Sequence, residues 1–172
     1  NAAYGHGDTT QMRLSYASGP MGFAIALEDD ESAGSDNDDI GVAAELKYSG
    51  DVVSGEISGG WWESDDAWVG VGLGFGLDMF NVSVSGAFGE LNNTEFWKAN
   101  ILAQANLTDA VHAEVGYNVV DADGDALDQW SVLAGIYYDP VSQLTLGLEG
   151  EMIENDVAAD SVRIDFVTVY RF

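Results

Sequence analysis

Apolar residues recur at every second position along nearly the whole chain. In the last segment Val162, Ile164, Phe166, Thr168, Tyr170 and Phe172 fall on one side, and Arg163, Asp165, Val167, Val169 and Arg171 on the other. Leu144, Leu146, Leu148 and Met152 alternate with Thr145, Gly147, Glu149 and Glu151, and Ile40, Val42, Ala44, Leu46 and Tyr48 with Gly41, Ala43, Glu45 and Lys47. Successive side chains of a β-strand point to opposite faces, so a period of two selects strands over helices. About eleven such segments are predicted: 9–18, 22–31, 39–49, 51–63, 66–77, 79–90, 95–107, 110–120, 127–139, 142–154 and 161–172. Each is near the ~10 residues that a tilted strand needs to cross a bilayer.

A soluble β-sandwich alternates too. Three features favour a membrane wall. The apolar face repeats in every segment, so no strand is polar on both sides. Aromatic residues cluster near segment ends (Trp61, Trp62, Trp68, Phe80, Phe88, Phe96, Trp97, Tyr117, Trp130, Tyr137, Tyr138, Tyr170 and Phe172), as girdles at the two lipid–water interfaces require. Every base (Arg13, Lys47, Lys98, Arg163 and Arg171) falls on the polar face. A base facing lipid at mid-depth costs about 2–4 kcal/mol. The expected fold is all-β: a transmembrane, antiparallel, up-and-down barrel wall forming one domain over residues 1–172.

Composition narrows the partners. There are 30 acids against 5 Lys and Arg, net −25, so nucleic acid phosphate is repelled. Cysteine is absent, which excludes disulfides and thiolate metal sites. No charged-then-apolar leader precedes the first strand, so any secretory signal is expected to have been removed.

The connections alternate in kind. Tight turns are predicted at Ser18-Gly19-Pro20, Ser49-Gly50-Asp51, Gly76-Leu77-Asp78, Thr108-Asp109 and Asp139-Pro140-Val141-Ser142. Longer acidic loops are predicted at 29–39, 63–66, 90–95, 121–128 and 154–160. Bacterial barrels have short periplasmic turns and long outer loops. The acidic loops are therefore expected outside the cell and the C-terminus in the periplasm. An odd strand count and an outward N-terminal piece imply a wall that is incomplete on its N-terminal side, the C-terminal part of a larger barrel.

The alternating end, with Phe166, Tyr170 and Phe172, resembles the C-terminal signature of outer-membrane barrels. That resemblance implies an assembly signal read by the outer-membrane assembly machinery. The runs Thr9-Thr10-Gln11-Met12-Arg13-Leu14-Ser15-Tyr16 and 22–30 resemble mid-chain strands of alphaproteobacterial general porins. The implied protein is a sixteen-stranded homotrimer, surrounded by outer-membrane lipid and lipopolysaccharide. It would be a water-filled channel for passive diffusion of small hydrophilic solutes and ions. Nothing here looks like the constriction loop of such porins.

The candidate pore-lining residues are Arg13, Glu45, Lys47, Glu56, Lys98, His112, Glu114, Glu149, Glu151, Arg163, Asp165 and Arg171. Rings of charge select ions by sign, and acids dominate, so cation preference is expected. Arg13 and Arg163 are the foremost candidates, because porins of the resembled type line one side of the constriction with arginines. Gly70, Gly72, Gly74 and Gly76 share the polar face, which fits either a loop folded against the wall or relaxed curvature. Asp121, Asp123, Asp125 and Asp128, or Asp36, Asp38 and Asp39, offer weak sites for loosely held Ca or Mg, without the spacing of an EF-hand. No other cofactor is expected. An enzyme is disfavoured because the only histidines, His6 and His112, lack an evident serine partner. A non-conducting structural or adhesive barrel is the alternative, although the small inward residues point to an open lumen.

Overall fold

The computed structural model describes residues 9–30, 39–62, 66–91, 93–123, 128–156 and 159–171. They form one antiparallel sheet of 11 strands in sequence order, each joined only to its neighbours in the chain. The strands are β1 (Thr9–Ser18), β2 (Met21–Asp30), β3 (Asp39–Ser49), β4 (Val53–Trp62), β5 (Ala67–Leu77), β6 (Phe80–Leu91), β7 (Thr94–Thr108), β8 (Val111–Ala122), β9 (Gln129–Val141), β10 (Leu144–Asn155) and β11 (Ser161–Tyr170). β1 and β11 do not pair with each other, so the sheet is a wall and not a closed ring among the described residues.

The register keeps the two faces coherent across the sheet. Tyr16 pairs with Phe23, Phe23 with Leu46, Leu46 with Ile57 and Ile57 with Val71. A one-residue slip at any hairpin would carry the charges of the following strand to the apolar side. The apolar side chains cover no core: Leu14 is 70% exposed, Phe88 63% and Ile164 74%. A soluble protein rarely exposes a continuous apolar surface of this extent. On this face charge appears only towards the loop end of the strands, as at Glu90, Glu95, Asp121 and Glu154.

The tight turns lie at one end of the wall. Gly19 has φ 56° and Asp78 φ 45°, the left-handed conformation that two-residue hairpin turns demand. Three expectations need correction. First, no long loop separates β6 from β7. Pairing extends to Leu91 and Thr94, so Glu90 and Glu95 face each other inside the ladder and Asn93, at φ 61°, makes a tight turn. Secondly, Pro140 and Val141 belong to β9, and the turn follows them. Thirdly, the aromatic girdle is smaller than the sequence implied. Trp61, Phe80, Phe88, Trp97, Tyr117, Tyr138 and Tyr170 are exposed on the apolar face. Trp62, Trp68, Phe96 and Tyr137 have the opposite parity and turn to the polar face, where Trp62 is 3% exposed.

Those inward aromatics explain several glycines. A side chain at Gly41 would overlap the Trp62 ring, and one at Gly89 the Ala67 carbonyl and Trp68. A side chain at Gly135 or Gly147 would overlap Tyr137. An aromatic ring laid over a facing glycine covers the bare backbone of the strand.

Candidate functional site

The candidate site is the polar face of the wall. All twelve charged or titratable residues singled out above share it, as the pairings require. Two ion-pair arrays and one mixed network organise eleven of them.

The first array spans β1 to β4. Glu45 lies 3.6 Å from Arg13 and 3.0 Å from Lys47, and Lys47 lies 3.4 Å from Glu56. Lys47 and Glu56 are direct cross-strand partners. Arg13 reaches Glu45 over the whole of β2, about two strand spacings of ~4.8 Å. It does so because β2 presents only Ala24 and Ala26 beneath it, 4% and 6% exposed. The second array joins β10 and β11. Arg163 contacts Glu151 at 3.0 Å and Asp165 at 2.5 Å. Arg163 remains 60% exposed at its side chain, so these pairs add little stability. They fix where charge stands.

The third group, at the tight-turn end of β8 to β11, was only partly legible in the sequence. The His112 ring stacks on Tyr137, with centroids 4.8 Å apart and planes 13° from parallel. Its Nδ1 is 3.2 Å from Asp139 and its Nε2 3.7 Å from Glu114. The Tyr137 hydroxyl donates to Glu149 at 2.6 Å, passing over Gly147. Thr145 donates to Asp139 at 2.5 Å, and Arg171 donates to Thr145 at 3.2 Å. Two irregularities shape this end. Leu107 has no partner between the pairs Asn106–His112 and Thr108–Val111. Asp139 and Pro140 together oppose Thr145. Such bulges re-aim side chains next to functional sites. Tyr137, Asp139 and Thr145 were not singled out for the polar face although strict alternation puts all three on it; what the sequence lacks is the pairing of β8, β9 and β10 that gathers them.

Between the arrays, β5 and β6 offer a neutral wall of Gly70, Gly72, Gly74, Ser83 and Ser85. The atoms nearest a Cβ built at Gly70 or Gly74 are side chains of the sheet itself, Trp68 and Ser54. Lys98, on β7, pairs in register with Ala87 and Val120.

Other candidates separate. Asp121 and Asp123 stand at the loop end, Asp128 accepts a hydrogen bond from the Ala122 amide at 3.4 Å, and Asp36, Asp38 and Asp125 lie outside the described residues. Among the described residues no group of three or more His, Asp or Glu is placed to hold a metal ion. His6 lies outside the described residues, and both ring nitrogens of His112 face carboxylates. Phe166 and Tyr170 are exposed on the apolar face at 74% and 58%; Phe172 lies outside the described residues.

No protein-family model and no curated protein matches the chain. Solved structures do. The outer membrane channel DcaP of Acinetobacter baumannii superposes with a TM-score of 0.73 at 15% identity, over 94% of this chain and 62% of that one. A loop-deletion mutant of OmpT, an outer membrane protein of Vibrio cholerae, gives 0.75 at 13% identity, over 93% and 62%. An anion-selective porin from Comamonas acidovorans gives 0.71 at 12%, over 92% and 55%. The chain thus spans less than two thirds of the length of these structures. At such identities the likeness carries the fold alone, and the fold of this chain is the porin-like β-barrel wall of bacterial outer-membrane channels.

Proposed function

We propose that this chain is wall of a water-filled diffusion channel in a bacterial outer membrane, passing small hydrophilic solutes and ions with a preference for cations. The carrying observation is the division of faces: an apolar surface without mid-span charge on one side, and paired charges of both signs on the other. Charges held in register on a hydrated wall set up a field along the solute's path and select ions by sign. Glu28 and Asp139 join the acids already named on this face, so acids outnumber bases there. The strongly acidic loops add to the same field at the mouth. The porin-like neighbours support the channel reading; one of them is an anion-selective porin, so the cation preference rests on the side chains of this chain alone.

The finer features of the reading follow the resemblance to alphaproteobacterial general porins. They are a sixteen-stranded ring of which these strands are the later part, a homotrimer, acidic loops outside the cell and a periplasmic C-terminus. Outer-membrane lipid would cover the apolar face, and Ca or Mg would bridge the loops to lipopolysaccharide phosphate. The unpaired edges of β1 and β11 support continuation into a larger ring.

The test is electrical. The intact protein is reconstituted into a planar bilayer under a KCl gradient. Conductance with a reversal potential favouring K⁺ supports the reading. Preference for Cl⁻ refutes the cation preference. Absence of conductance refutes the channel and leaves a structural barrel.

A further inference from the structure

Towards the tight-turn end, β4 to β7 enclose a groove of about 320 Å³ on the polar face, within the size range of small-molecule sites. Its floor is the bare backbone of β5 at Gly74 and Gly76. Ser54 leans over Gly74 from β4, its Oγ 2.5 Å from where a Cβ would stand. Asn81 leans over Gly76 from β6, its Oδ1 at 3.1 Å. Asn81 and Ser83 pair in register with Gln104 and Leu102 of β7, which form the far side. Gln104 donates from Nε2 to Asn106 at 3.1 Å, which orients its amide and leaves Oε1 as an acceptor. Ser54, Asn81 and Ser83 are exposed. Gly41, Gly135 and Gly147 of the same face lie under aromatic rings, whereas Gly74 and Gly76 lie under hydrogen-bonding oxygens. We infer that this groove is a subsite for an uncharged, hydroxyl-rich solute, a neutral saccharide of disaccharide size.

The lining selects that class. Hydroxyls and side-chain amides both donate and accept, so they replace the water that a sugar hydroxyl gives up. Leu102 offers an apolar surface to the C–H side of a sugar ring. Among the described residues that line the groove, Asp51 alone is ionisable, and it sits exposed in the turn between β3 and β4. An anion therefore finds no base in the groove, and a cation finds one solvated carboxylate. An apolar solute would strip water from the hydroxyls and amides and leave each of them unpaired. From β4 to β7 the groove crosses three strand spacings, about 14 Å, which is room for two sugar rings laid across the strands.

The saccharide assignment rests on the channel reading and deepens it, and two measurements keep them apart. Sucrose is titrated against the intact protein in a sugar-free detergent by saturation-transfer NMR, and against its conductance in a planar bilayer. Saturable transfer is expected, with a saturable loss of current beyond the fall in bulk conductivity over the same concentrations. Asn81→Leu and Gln104→Leu should each weaken binding by about fivefold. Gly74→Gln, which fills the floor, should abolish it. Asn118→Leu, on the same face but outside the groove, should leave it unchanged. Conductance without saturable sucrose binding overturns the assignment and leaves the channel intact. Binding that survives Gly74→Gln overturns it too. Binding without conductance upholds the groove and refutes the channel, and absence of both refutes both. The unaltered protein decides the matter even if no variant folds.

Discussion

Ile101 and Asn100 are adjacent in β7, yet the register places them on opposite faces. Ile101 pairs with Val84 and Tyr117 on the apolar side; Asn100 pairs with Ser85 and Asn118 on the polar side. Ile101 is also the central residue of this 15-residue strand and is 46% exposed. In an apolar band about 25 Å tall it lies about 12 Å from either edge, beyond what a snorkelling arginine spans. Ile101→Arg should therefore incur most of the mid-depth penalty of about 2–4 kcal/mol. That is about 30- to 700-fold in the folding equilibrium. At an m-value of about 2 kcal/mol/M it moves a urea midpoint down by about 1–2 M. Asn100→Arg places the same group in the hydrated lumen and should shift the midpoint by less than about a quarter of that. The assay is urea unfolding from lipid vesicles, followed by tryptophan fluorescence and by heat-dependent mobility on gels. Equal shifts, or a larger one for Asn100→Arg, would show that the apolar face is not turned to lipid.

Three further outcomes are expected. Gly147→Leu should displace the Tyr137 ring that lies over Gly147 and cost about 1–3 kcal/mol in the same unfolding assay; the neighbouring Gly150→Ala, with open space around its Cβ, should cost less. Tyr137→Phe keeps the stack on His112 but frees Glu149, so it should cost about 1 kcal/mol in unfolding and raise cation preference in bilayers. Asn93→Val puts a β-branched residue at φ 61° in the β6–β7 turn and should cost about 1–2 kcal/mol, whereas Asn93→Gly should be neutral or stabilising; equal effects would refute the tight turn.

The likeness to an anion-selective porin bears on how the polar face should be read. A charged channel selects by the sign of the side chains that line it, so the proposed cation preference rests on the acids of this face. On the proposed reading, that preference resides in the acids that lack a fixed base. Glu45, Glu56, Glu151 and Asp165 have an arginine or lysine within 4 Å. Asp139 and Glu114 have the His112 ring beside them instead. The arrays of β1–β4 and β10–β11 are nearly self-neutralising, and the β8–β10 cleft gathers Glu114, Asp139 and Glu149.

The alternation of apolar and polar residues was enough to specify eleven strands and which residues of each share the apolar side, because a strand's side chains have a fixed period of two. The same period placed all five bases on one face. It misassigned Trp62, Trp68, Phe96 and Tyr137, because closeness to a strand end was weighed above parity, and the glycines that receive these rings sit on neighbouring strands. The acids of 90–95 read as a loop because charge density usually marks one, yet Glu90 and Glu95 can close the ladder at its end, where water already reaches them. What only the tertiary structure decided is the company each charge keeps. Arg13 meets Glu45 because two small residues of β2 lie between them, and His112 meets Asp139 because the β8–β9 register sets it opposite Tyr137, two residues before Asp139 on the same face. Register and bulges arise from pairing between strands, and no single strand's sequence contains them.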